Sequence, residues 1–156
     1  MHINGKYILS LIILLTALNS QAQLPKVKNP YPKGVPKKLQ LGMSFQDFTS
    51  KFTNFKYVKE EYDFRDIMQL DVDHPDITQL ILYFDTKGDK PLYEIIIVYK
   101  DNQQAMQSAT NLFGSPNHAE KEWRATYKQQ IIWSWVFKTK LIIVADIPET
   151  EWSDSF

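Results

Sequence analysis

The chain has 156 residues, with 18 lysines and arginines against 18 aspartates and glutamates, three histidines and no cysteine. The lack of cysteine excludes a disulfide scaffold, a thiol nucleophile and a thiolate metal site. A net charge of zero argues against a strongly basic nucleic-acid binder, so we expect no nucleic-acid partner. Hydrophobic residues at 44% and aromatic residues at 13% are typical of a chain that folds around a packed core.

Residues 1–22 have the layout of a secretory signal peptide. A short basic segment precedes an apolar run of about 12 residues, and Ser20 and Ala22 then occupy the −3 and −1 positions of a small-x-small cleavage site. The run is shorter than the ~20 residues that a membrane-spanning helix needs. We therefore expect cleavage near Ala22, a periplasmic or secreted location, and no transmembrane segment in the mature chain.

Residues 23–40 are a basic, proline-rich segment that precedes the first predicted helix. They contain four prolines and five lysines but no acidic residue, whereas residues 39–156 hold 12 basic against 18 acidic residues. Repeated proline fixes φ and removes backbone donors, so the pattern predicts an extended linker. Two interpretations stay open, a solvated linker or a tether that contacts anionic lipid or a partner.

The first half of the fold, residues 41–100, is predicted to contain one helix and three strands. Ser44 is the predicted N-cap of the helix. Four phenylalanines, spaced three or four residues apart, form its apolar stripe: Phe45, Phe48, Phe52 and Phe55. The strand-like runs that follow are about 62–71, 77–85 and 92–100.

The second half, residues 101–148, repeats that order. Asp101 is the predicted N-cap of a second helix, which ends at Gly114. Three strand-like runs follow, at about 119–127, 130–138 and 140–147. The order predicts an α+β fold of two helix-plus-three-strand repeats that form an antiparallel sheet with the helices packed on one face. Residues 149–156 follow as an acidic tail.

Two short motifs carry a family resemblance. The helix start LGMSFQDFTSKF (41–52) and the helix end LFGSP (112–116) resemble the helix-then-sheet modules of the β-lactamase-inhibitor-protein-like superfamily, which includes the BamE (SmpA) outer-membrane assembly lipoproteins. The chain departs from these proteins in having neither a lipid-attachment cysteine nor disulfides. The resemblance implies a periplasmic binding fold rather than an enzyme.

Aromatic residues on the predicted strands are the candidate binding residues. They are Tyr83, Trp123, Tyr127, Trp133 and Trp135. Period-2 alternation places Trp133 and Trp135 on one face of their strand, opposite Ile132, Ser134 and Val136. Two alternatives stay open, because large aromatic side chains either fill the core between helix and sheet or form a binding surface.

The densest group of possible metal ligands lies in one predicted strand connection. Its members are Asp71, Asp73, His74 and Asp76. Their spacing is not that of the twelve-residue calcium loop, and aspartate and proline are ordinary turn residues. These residues are therefore weak metal candidates, and we expect no metal and no cofactor.

The function that the sequence favours is an exported, non-catalytic module that binds a protein or a cell-envelope component through an aromatic sheet face. Inhibition of an enzyme is a narrower form of the same role. The chain contains no nucleophile elbow, P-loop or HExxH motif, so we expect no catalytic residues. The alternative is a small periplasmic hydrolase, or a metal- or ligand-binding protein, with a site near residues 71–76.

Overall fold

The computed structural model describes residues 23–58, 63–153 and 155. The predicted signal peptide therefore lies outside the described residues, as do residues 59–62, which include the first residue of the strand predicted at about 62–71. No helix in the described part of the chain combines the length and the apolar character needed to cross a membrane.

The described residues form an α+β fold dominated by one antiparallel sheet. Its elements, in chain order, are α1 (Phe45–Lys51), β1 (Phe55–Val58), β2 (Arg65–Leu70), β3 (Ile77–Asp85), β4 (Leu92–Tyr99), α2 (Asn102–Phe113), β5 (Glu122–Tyr127), β6 (Gln130–Phe137) and β7 (Lys140–Ala145). The seven strands lie in the order β1-β2-β3-β4-β7-β6-β5. The meanders β2-β3-β4 and β5-β6-β7 meet where β4 pairs with β7, in the middle of the sheet.

Both predicted helix starts are confirmed. The Ser44 hydroxyl accepts a hydrogen bond from the Asp47 amide at 3.1 Å, and the Asp101 carboxylate accepts one from the Gln104 amide at 2.8 Å. Each cap satisfies a backbone donor that has no partner within its helix. The second helix ends at Gly114, whose φ of 81° suits glycine.

The phenylalanine stripe differs from the prediction at its end. The prediction of one helical stripe to Phe55 is wrong, because α1 ends at Lys51 and Phe55 begins β1. The rings nevertheless cluster, with the Phe48 centroid 5.1 Å from that of Phe52 and 5.0 Å from that of Phe55. Burial of the rings is thus achieved by a helix and a strand together, which periodicity alone does not reveal.

Alternation along the strands gives the sheet two different apolar faces. The face that carries the larger core cluster, which includes Phe48, Ala105 and Ala109 from the two helices, is called the inner face. The opposite face is called the outer face, and its cluster is centred on Ile96, Ile142 and Val144. The central strand β4 contributes to both clusters, so nearly all of its residues are buried.

The proline-rich segment 23–40, which we call the arm, is packed against the domain. Tyr31, Val35 and Leu39 belong to the inner cluster. The Tyr31 hydroxyl accepts a hydrogen bond from the Leu41 amide at 2.9 Å. The prediction of a solvated linker is therefore wrong for these residues, because apolar side chains interleaved among the prolines and lysines reach the core.

Candidate functional site

The outer face presents a group of tryptophans that come from two distant parts of the chain. Trp133 and Trp135 alternate along β6 and project from the outer face. The third, Trp152, comes from the C-terminal segment and packs against the same cluster. All three are half-buried, so parts of the rings remain accessible.

The three indole rings contact one another directly. The Trp133 and Trp135 centroids are 5.2 Å apart. The Trp152 centroid lies 5.8 Å from that of Trp133 and 5.5 Å from that of Trp135, with interplanar angles of 83° and 62°. Edge-to-face contacts of this kind stabilise aromatic clusters beyond the area that they bury.

Charged side chains of β5 flank the cluster on one side. The Glu122 carboxylate accepts a hydrogen bond from Trp133 Nε1 at 3.2 Å. The Arg124 guanidinium carbon lies 5.2 Å from the Trp133 ring centroid, within reach of a cation–π interaction. Among the described residues, the buried Arg124 Nε has no hydrogen-bond acceptor. This edge of the cluster therefore offers both a carboxylate and a cation.

A second set of polar side chains lies on the outer face, on the side of the cluster nearer to β2 and β3. The Arg65 guanidinium carbon lies 4.4 Å above the Tyr83 ring centroid, and Arg65 Nη1 lies 3.3 Å from the Glu151 carboxylate. The buried Tyr93 hydroxyl donates to the same carboxylate at 2.8 Å. Burial, and then the hydrogen bond to Glu151, raise the pKa of Tyr93, so this phenol stays protonated and remains a donor.

The structure separates the five candidate aromatic residues into two groups. Tyr83, Trp133 and Trp135 lie on the outer face, as part of one cluster. Trp123 and Tyr127 lie on the inner side, where Trp123 is 1% exposed and donates from Nε1 to the Gly114 carbonyl at 2.9 Å. The interpretation of all five as one binding face is therefore wrong for Trp123 and Tyr127.

The cause of this error is strand register. The hairpin between β5 and β6 pairs Trp123 with Ser134 and Arg124 with Trp133. Paired residues project from the same face of an antiparallel sheet, so Trp123 takes the face of Ser134. Alternation within each strand was predicted correctly, but it does not say which faces of two strands coincide.

Sequence reasoning missed several polar residues of the outer face. They are Arg65, Tyr93, Glu94, Glu122 and Arg124. Glu94 is a signal that could have been noticed, because it interrupts the apolar strand LYEIIIVY with a carboxylate. That carboxylate is only 5% exposed, so it needs a buried donor.

Three of the four weak metal candidates make structural contacts. His74 Nδ1 accepts from the Asp76 and Ile77 amides at 3.2 and 3.3 Å, and Asp76 accepts from Gln104 Nε2 at 3.1 Å. Asp71 lies 3.4 Å from the Lys56 ammonium, and Asp73 is exposed. In the described part of the chain, no three His, Asp or Glu side chains are placed to share a metal ion.

A cavity of about 590 Å³ lies between the arm, the 71–76 connection and α2. His74, Tyr99 and Gln104 contribute to its walls. The Tyr99 hydroxyl donates to Ser108 Oγ at 2.6 Å. Gln104 Oε1 is buried and has no hydrogen-bond partner among the described residues.

Comparisons of the chain with protein families, with curated proteins and with solved structures found no match.

Proposed function

We propose that this chain is an exported, non-catalytic binding module that holds a protein or cell-envelope partner on its outer sheet face. The observation that carries the proposal is the cluster of Trp133, Trp135 and Trp152, half-buried and flanked by Arg65 and Arg124. Tryptophan, tyrosine and arginine are the residues that contribute most to binding hot spots. Their concentration on a face that lies outside the main core supports recognition rather than folding alone.

The edge of β5, next to the tryptophan cluster, is protected against pairing with a partner strand. The Asn117 side chain donates to the Arg124 carbonyl at 2.8 Å and accepts from the Arg124 amide at 2.7 Å. Thr126 exchanges backbone hydrogen bonds of 2.9 Å with Pro25 and Val27 of the arm. A partner strand would have to displace these contacts before it could extend the sheet at this edge.

The proposal also includes the relation between the two halves of the fold and the placement of both helices on one face. We infer that residues 41–100 and 101–148 are related halves, each a helix followed by a three-strand meander, with β1 an addition to the first. Both helices then cover the inner face and leave the outer face to a partner. Export is supported by the signal-like pattern of residues 1–22, and the resemblance to β-lactamase-inhibitor-like modules agrees with a binding role.

Capture experiments test this function. Mature chain 23–156 is immobilised and exposed to periplasmic and envelope fractions of the source organism, as wild type and as Trp133→Ala/Trp135→Ala. We expect the captured partner to fall at least about tenfold in the double variant, because hot-spot truncations cost about 2 kcal/mol or more. Circular dichroism checks that the variant is folded.

Tyr57→Ala is the matched control, because it removes a similarly large aromatic ring, 58% exposed, from the edge strand β1. We expect this variant to capture the partner as wild type does. Equal capture by wild type and by a folded Trp133→Ala/Trp135→Ala variant would contradict the proposal.

The cavity beside residues 71–76 supports a second candidate function, the binding of a small hydroxylated ligand. The polar residues His74, Asp76 and Gln104 in its walls favour this function, since ligand hydroxyls form hydrogen bonds with convergent polar groups. We expect a neutral monosaccharide at millimolar concentration to raise the melting temperature of wild type but not of Gln104→Leu, because ligands of the native state stabilise it. Gln103→Leu, an exposed neighbour, is the control. Equal shifts in all three proteins would count against the cavity.

A further inference from the structure

The C-terminal segment 148–153, which we call the tail, contacts the outer face in the way that a bound peptide would. Trp152 Nε1 donates to the Glu94 carboxylate at 2.8 Å, and the Trp152 ring packs edge-on against Trp133 and Trp135. One residue earlier, Glu151 accepts from the Tyr93 hydroxyl and lies beside Arg65. Two adjacent tail residues thus occupy two complementary subsites.

The chemistry of each subsite defines what it accepts. The first offers a buried carboxylate to an N–H donor and two indole rings to a flat aromatic side chain. The second offers a phenol hydroxyl and a guanidinium, both of which donate to a carboxylate. A tryptophan preceded directly by an acidic residue matches both subsites at once.

The tail is attached to the sheet by side chains. Its described backbone hydrogen bonds are local: the Thr150 amide donates to the Ile147 carbonyl at 3.2 Å and the Ser153 amide to the Thr150 carbonyl at 3.0 Å. Among the described residues, no backbone hydrogen bond joins 148–153 to a strand of the sheet. Release of the tail therefore leaves every strand pairing intact.

We propose that the outer face recognises, in a separate partner, a peptide turn in which an acidic residue is followed directly by tryptophan, and that Glu151-Trp152 is an internal occupant that this peptide displaces. The inference rests on the proposed function and names the partner's chemistry. Because the tail competes from within the same molecule, it lowers the apparent affinity by the fraction of time that it occupies the site. Removal of its anchor should therefore strengthen binding of the peptide in trans.

Fluorescence anisotropy with a labelled peptide of the sequence 147–155 tests the proposal on the mature chain 23–156. We expect Trp152→Ala protein to bind the peptide at least about tenfold more tightly than wild type does, because the competing tail is weakened. Adding Glu94→Gln to that variant should weaken binding about tenfold, since the carboxylate acceptor is lost. A peptide that itself carries Trp152→Ala should bind none of these proteins.

Trp152→Phe keeps a ring but removes the N–H donor, and it replaces the alanine variant if that variant fails to fold. No binding of the peptide by a folded Trp152 variant would overturn the inference. A dimer of wild type that Trp152→Ala dissolves, seen by analytical ultracentrifugation, would assign the face to a second copy and also overturn it.

Different experimental results would refute the proposed function and the proposed recognition of an acidic-tryptophan peptide. Loss of peptide binding, with partner capture still dependent on Trp133 and Trp135, would refute only the acidic-tryptophan recognition. Peptide binding that persists while capture is independent of these tryptophans would refute only the proposed function.

Discussion

Leu39→Ala is expected to lower the free energy of unfolding by about 2–5 kcal/mol, the range found when a buried leucine is cut back to alanine. Leu39 lies in the arm, among exposed lysines, yet its side chain is 0% exposed and belongs to the inner cluster. The truncation removes apolar contacts and leaves a cavity that the neighbouring side chains fill only in part. Equilibrium denaturation of the mature chain in urea measures the change.

Lys38→Ala is the matched control for Leu39→Ala. Lys38 is the preceding residue and is exposed, so its truncation should change stability by no more than about 0.5 kcal/mol. If both variants unfold at the wild-type urea concentration, the arm does not contribute to the core, and the solvated linker inferred from composition would be restored.

The composition of the arm predicted its irregular backbone but not the burial of its apolar side chains. Four prolines and five lysines in residues 23–40 correctly indicate that neither a helix nor a central strand forms there. They conceal that Tyr31, Val35 and Leu39 recur every four residues and are all buried. A spacing of four predicts burial when it lies on a helix, and the prolines exclude a helix here. The contacts of an irregular segment depend instead on the surface that it meets.

The sheet shows the same division between local and long-range information. N-caps, the Gly114 helix end and the alternation within β6 were predictable, because each depends on neighbours within a few residues. The four-residue strand β1 was not, since it is too short to show alternation and forms by pairing with β2. Its first residue, Phe55, is instead explained by the ring contacts that it makes with Phe48.

The sequence predicted that the candidate site is aromatic, but it did not predict all of the residues that form it. Trp133 and Trp135 were found from alternation in one strand, and they form the centre of the outer cluster. Trp152 and Glu94 lie 58 residues apart in sequence, and their hydrogen bond follows only from the fold-back of the tail. Side chains that meet through a terminal segment leave no spacing pattern in a single sequence.

Alkaline pH above about 10 should destabilise the protein, with a slope that rises toward about 1.4 kcal/mol per pH unit for each buried tyrosine that stays protonated in the native state. The effect arises from Tyr31, Tyr93 and Tyr99, whose pKa values are all raised, chiefly by burial. In the unfolded chain these phenols ionise at about pH 10, whereas in the native state they remain protonated to higher pH. Each then contributes a slope of at most about 1.4 kcal/mol per pH unit, since one pKa unit corresponds to that free energy.

The sign follows from proton linkage. Above about pH 10 the unfolded state binds fewer protons than the native state, so stability decreases as pH rises. Below that pH both states hold the three phenolic protons, and these tyrosines give no slope. Urea denaturation at pH 9, 10 and 11, with phenolate absorbance near 295 nm recorded in parallel, measures the loss of stability together with the ionisation.

Tyr93 connects this titration to the outer face, because its ionisation removes the proton that it donates to Glu151 and places two negative charges side by side. Tyr93→Phe should therefore reduce the alkaline slope by up to about 1.4 kcal/mol per pH unit, to the value set by the two remaining buried tyrosines. Phe137→Leu, which alters a side chain that is 57% exposed and carries no ionisable group, should leave the slope unchanged. If Tyr93→Phe does not alter the wild-type slope, Tyr93 ionises equally in the folded and unfolded states. That result would contradict the raised pKa expected from its burial beside Glu151.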